Sequence, residues 1–93
     1  MLVETKAIAE FRRDLENAGL KLNTSLKGKI RSEKIWNNLH SVLRLDYGFC
    51  GGGGIEPFMG CVGSYNVTVY TDKVEEYKYR YTIRVVLEKT SEA

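Results

Sequence analysis

The residues of this chain whose types could carry nucleophilic or metal chemistry are Cys50, Cys61, His40 and Asp46. Their spacing restricts that chemistry sharply. Two thiols and a single histidine cannot complete a tetrahedral zinc site without a carboxylate or a second chain, and the spacing matches no zinc finger. A thiol, imidazole and carboxylate trio can be written as Cys50, His40 and Asp46, but nothing in the order of the sequence makes them converge. His40 also fits a boundary position on the apolar face of a helix. No carboxylates pair in an apolar context, and there is no serine elbow. The expectation is a protein with no catalytic residues, no metal and no cofactor, and so not an enzyme.

Cys50 and Cys61 lie within a second feature, the segment Gly48 to Gly63, which holds seven of the nine glycines and the only proline, Pro57. A disulfide between them would close this segment and contribute about 2 to 3 kcal/mol. In a reducing compartment they would instead remain thiols, and both states stay open at this point. The run Gly51, Gly52, Gly53, Gly54 does not fit a phosphate cradle. A P-loop needs a lysine and a hydroxyl residue directly after its glycines, and here Ile55, Glu56, Pro57 and Phe58 follow, with a negative charge where an anion would lie. What distinguishes the segment is its large apolar side chains, Ile55, Phe58, Met59 and Val62. Read as a loop over 48–63, it either tucks these residues against the sheet or presents them as a contact surface. The candidate partner-binding set is therefore Gly51, Gly52, Gly53, Gly54, Ile55, Glu56, Phe58 and Met59. A small-ligand site built on the glycine amides is a further alternative, and it would need a second subunit to close it.

The basic residues form a third group. From Lys21 to Lys34 there are five (Lys21, Lys27, Lys29, Arg31, Lys34) against one acid, Glu33. Lys78, Arg80 and Arg84 alternate along the last strand. With Tyr70 as a stacking residue, the set Lys27, Lys29, Arg31, Lys34, Tyr70, Lys78, Arg80 and Arg84 describes a nucleic-acid surface on a sheet.

These groups need elements to position them. Tyr77, Tyr79, Tyr81, Ile83, Val85 and Leu87 alternate with polar residues, which predicts a strand with one buried face. Tyr65, Val67 and Val69 alternate with Asn66, Thr68 and Tyr70, and Asp72 to Glu76 supplies a polar turn, so the two runs predict an antiparallel hairpin. Val3, Ala7, Ile8, Phe11, Leu15 and Ala18 recur at helical steps before Gly19. Ser32 can cap a second helix that places Ile35, Trp36, Leu39, Val42 and Leu43 on one face. Trp36 is expected between helix and sheet. Alternation of Leu45, Tyr47 and Phe49 predicts a strand from about Leu43 to Cys50. The stretch from Leu20 to Ile30 fits a short ribbon or an ordered loop. The predicted fold is α+β: one globular domain over 1–93, with two helices packed on one face of a small antiparallel sheet of three or more strands, ending in a C-terminal hairpin.

With 43% apolar and 28% charged residues and a net charge of +2, the composition is that of a globular protein and predicts neither disorder nor a membrane span. The first residues do not read as a secretory leader, so the expected compartment is the cytoplasm. Small size, the absence of catalytic chemistry and the apolar glycine segment predict a non-enzymatic binding protein. It would inhibit or regulate a larger protein or complex by direct contact, as phage and mobile-element inhibitors of the anti-CRISPR kind do. Nucleic-acid binding is the alternative, and a homodimer through a sheet edge is compatible with either.

Overall fold

The structure is a computed structural model that describes residues 5–52, 56–74 and 78–89. Helix α1 spans Lys6–Asn17, and the Thr5 side chain caps it by accepting from the Ile8 N–H at 3.3 Å. Its exit is a Schellman closure: Leu20 N–H donates to Leu15 O and Gly19 N–H to Glu16 O, both at 2.9 Å. This turn drops Leu20 into the core beside Leu15. Strand β1, Lys27–Ile30, resolves the ambiguous stretch after it. Helix α2 follows over Glu33–Ser41, capped by the Ser32 hydroxyl accepting from the Ile35 N–H.

The expected strand from Leu43 to Cys50 does not form. Val42–Asp46 is a π-helical turn continuing from α2, closed by Tyr47 N–H donating to Val42 O at 3.1 Å. Three alternating apolar residues are too short a signal to overrule the helical face that Leu39 and Leu43 continue, and both of these are fully buried. The wide turn sends Leu45 out to 81% exposure. It also lets Leu43 O accept from the Phe49 N–H at 2.8 Å, returning Phe49 to the core.

Strands β2 (Cys50–Gly51), β3 (Phe58–Val62), β4 (Tyr65–Lys73) and β5 (Tyr81–Lys89) complete a five-stranded sheet in the order β1-β5-β4-β3-β2, antiparallel throughout. The predicted hairpin is its centre, with nine residues paired from Tyr65↔Lys89 to Lys73↔Tyr81. Asp72 and Lys73 extend β4 instead of turning. Tyr79 lies outside β5 with φ +60, so it belongs to the connection and not to the buried face. Tyr77, Glu75 and Glu76 lie outside the described residues, as does Val3. Both helices pack on the face that carries Phe58, Val67, Val69, Ile83 and Val85, and these join Ile8, Phe11, Leu15, Leu39 and Leu43 in one core. Trp36 sits at its margin, half-buried, with its ring stacked on Tyr81 at 4.2 Å between centroids.

Within the segment expected to be one long loop over 48–63, Cys50–Gly51 and Phe58–Val62 are strands of the sheet. Gly60 lies under the Phe49 ring, which would be 2.4 Å from a Cβ there, and Gly52 lies against Phe58, whose ring would be 2.1 Å from one. Two of these glycines thus make room for core aromatics, and Gly52 also has φ +82. Replacing Gly52 by Ala should lower stability by about 2 to 4 kcal/mol through strain and overpacking. Glu56→Ala, at an exposed position nearby, should change it by less than about 0.5 kcal/mol. Urea unfolding of the three proteins measures both.

Candidate partner-binding surface

Because side chains alternate across a strand, covering one sheet face with helices leaves the even-numbered residues of β4 and β5 on the other. That outer face is ordered by the strand register. One row runs Lys27, Arg84, Tyr70 from β1 through β5 to β4, and the next runs Lys29, Thr82, Asp72. Toward the other end lie Val86, Thr68, Met59 and Cys50, then Glu88, Asn66 and Cys61. Met59 is 57% and Val86 38% exposed. The Arg84 guanidinium sits 4.3 Å from the centroid of the Tyr70 ring, a cation–π contact. Lys27 stands directly opposite Arg84, and like charges facing across strands destabilise a sheet. The row therefore holds an unfavourable pair that the fold alone does not require.

Most of the predicted nucleic-acid set is gathered here. Lys27, Arg84 and Tyr70 share a row, and Lys29, Arg31 and Arg80 line a groove of about 430 Å³ at the foot of β1 and β5 with Ile30, Val74, Tyr81 and Thr82. Lys78 is displaced into the connection, its Nζ 5.4 Å from the Tyr79 ring. Lys34 is carried on α2, in the layer against the opposite face.

The predicted partner-binding set fares differently. Phe58 is 0% exposed, so it is core and is not available for contact. Gly51 and Gly52 are shaped by packing against Pro57 and Phe58. Gly53, Gly54 and Ile55 lie outside the described residues. Met59 and Glu56 are exposed, and Met59 belongs to the outer sheet face. The Cys50, His40, Asp46 trio is not assembled. His40 packs edge-on to Phe58 at 5.3 Å in the helix-sheet layer, while Cys50 is exposed beside Met59. Both cysteines are free thiols.

The sheet edges are partly closed. Along β1, Asn23 occupies both backbone groups of Lys27, its N–H donating to Lys27 O at 2.9 Å and its Oδ1 accepting from the Lys27 N–H at 3.1 Å. At β2 the Arg44 guanidinium donates to Gly51 O at 3.0 Å. These contacts shorten the stretch of backbone that another strand could pair with.

A cleft of about 630 Å³ between the end of α1 and the π-helical turn, which the alternation of Leu45, Tyr47 and Phe49 concealed, is lined by Asp14, Asn17, Asn38, Ser41, Asp46 and Tyr47. Here the Tyr47 hydroxyl donates to Asp14 Oδ2 at 2.5 Å. Among the described residues no helix is long and apolar enough to cross a membrane, and no three His, Cys, Asp or Glu side chains gather as a metal site. Compared with protein-family models, curated proteins and solved structures, the chain matches none.

Burial first, then the hydrogen bond and negative charge of Asp14, raise the Tyr47 hydroxyl above the ordinary tyrosine range. The unfolded chain loses this proton near pH 10 while the folded chain keeps it, so this group's contribution to stability is full below about pH 10 and declines as pH rises further. Tyr47→Phe should lower stability at neutral pH by about 1 kcal/mol. It should also remove a late-ionising tyrosine from the alkaline absorbance titration of the native protein; an unchanged titration would show that Tyr47 is not the residue held protonated.

Proposed function

We propose that this protein is a non-enzymatic binding module that inhibits or regulates a larger protein by direct contact, and that the uncovered sheet face is its contact surface. The observation that carries the reading is the composition of that face. Tyr70, Arg84, Met59 and Val86 lie together on an uncovered face, and tyrosine, arginine and methionine are the residue types enriched where proteins bury surface against one another. Lys27, Lys29 and Arg84 outnumber Asp72 and Glu88 across the face, and Arg31 and Arg80 extend the positive charge into the adjoining groove. Charge complementarity therefore assigns the partner an acidic contact surface. Binding to it would relieve the repulsion between Lys27 and Arg84.

Nucleic acid is the second reading, favoured by the alignment of Lys27, Arg84 and Tyr70 in one row. Two features weigh against it. The Tyr70 ring is already engaged by Arg84, which competes with a base for that platform, and the row on one side of it holds Val86, Thr68 and Met59 in place of cations.

Tagged wild-type protein and the variants Arg84→Glu and Lys27→Glu, each checked for an unchanged circular dichroism spectrum, should be used to capture partners from host lysate with and without nuclease. One dominant nuclease-resistant protein, bound by the wild type and weakened at least about tenfold by either reversal, is the expected result. Equal capture by wild type and variants would remove the sheet face as the surface. Recovery that disappears with nuclease would replace the protein partner by nucleic acid.

A further inference from the structure

Three of the four sulfur-bearing residues of the chain meet at the other end of this face. Cys50 on β2 stands directly opposite Met59 on β3, and Cys61 is two residues along β3 from Met59, on the same side of the sheet. All three side chains are exposed. The Cys61 thiol donates to Asn66 Oδ1 at 3.3 Å, on the β4 side of β3, and it must leave that bond and turn toward β2 to share a ligand with Cys50. Residues directly opposite on adjacent strands have Cβ atoms about 5 Å apart, and diagonal neighbours are about 7 to 8 Å apart. Cys50 and Cys61 are such a diagonal pair. At that separation a direct disulfide would require the strands to shift.

We infer that Cys50, Met59 and Cys61 form a binding site for a soft monovalent metal ion, Cu(I), held by two thiolates and one thioether. Two metal–sulfur bonds of about 2.3 Å place the sulfurs up to about 4.6 Å apart, a span that suits a diagonal pair in a way that a sulfur–sulfur bond does not. The flexible Met59 side chain lies between the two cysteines and supplies a third soft donor. Thiolate and thioether ligands together select Cu(I). Zinc would need a fourth ligand, and the one histidine, His40, is on the other side of the sheet against Phe58. Binding converts Cu(I) and two Cys S–H groups into a bis-thiolate complex of net charge −1 at the metal and two protons released to solvent. No electron is transferred. Affinity therefore rises with pH, because protons compete with the ion for both thiolates.

The test is anaerobic titration of the reduced protein with Cu(I) against a chromophoric chelator, with proton release followed in weak buffer. The expected result is one ion per monomeric chain, about two protons released, and a sulfur-only shell in X-ray absorption. Cys50→Ser and Cys61→Ser should each weaken binding by at least about 100-fold and Met59→Leu by about tenfold, since even residues outside the ligand shell can cost 10- to 100-fold. Both cysteines are exposed, so unchanged circular dichroism is expected for each variant and confirms that the fold is intact. Wild-type affinity in either serine variant would overturn the site. So would one ion per two chains with dimerisation on size exclusion, which would mean that thiols of separate molecules are bridged.

Discussion

The structure depends on the nine-pair antiparallel ladder between β4 and β5, the middle of which is dry on one face. Val67, Val69, Ile83 and Val85 have at most 5% of their surface exposed. Burying such side chains contributes on the order of 1.5 to 3 kcal/mol each, and a two-stranded ribbon cannot supply the cover itself. The remaining elements serve to complete that cover. α1, α2 and the π-helical turn bring Phe11, Leu15, Leu39 and Leu43 onto the face, while β1 and β3 widen it on either side. Because both helices are committed to one side, no helix among the described residues covers the other side of the sheet.

A second constraint is the fit between aromatics and glycines. Phe49 and Phe58 are both core residues, and each occupies space that a side chain at Gly60 or Gly52 would need. The glycine-rich segment is thus partly a packing device. Its glycines let β3 dock beside β4 and β2 beside β3 without displacing the rings. Truncating a buried phenylalanine such as Phe58 typically costs about 3 to 5 kcal/mol, so a change there would report on folding before it reported on contact with a partner. The exposed residues of β3 are free of that confusion, and they include Met59 and Cys61 of the sulfur cluster.

The outer face divides into two chemistries on one platform. Its β1–β5 side gathers cations, with Lys27 opposite Arg84 and Arg84 turned onto Tyr70. Its β3–β2 side carries exposed thiols and a thioether. The contact of Arg84 with Tyr70 is favourable, but Lys27 opposite Arg84 adds like-charge repulsion and an exposed methionine forgoes burial. Features that cost stability are where function is to be sought, and here both fall on the side of the sheet that no helix covers among the described residues.

Much of the fold was legible because the signals were local and long. The periods of α1, β4 and β5 ran over enough residues to establish element type and buried face, and Ser32 and Gly19 occupy helix ends where short-range hydrogen bonds decide the outcome; the start of α1 at Thr5 was not read. From Leu43 to Val62 the signal was short and the deciding contacts were distant in sequence. The alternation of Leu45, Tyr47 and Phe49 is equally compatible with a strand, and the outcome depended on Leu43 and Phe49 both finding space under α1 and β3. For the candidate surface, residue types were readable but their assembly was not. Lys27, Tyr70 and Arg84 become neighbours only because β1 pairs with β5 in that register, and Cys50 meets Met59 only because β2 folds back on β3. The sequence by itself determined two amphipathic helices, an antiparallel hairpin and the face that each would bury, since those follow from periodicity and hydrophobicity. Tertiary structure alone decided strand order and register, and hence which cations and sulfurs share the open face, because pairing partners are chosen by packing among residues far apart in the chain.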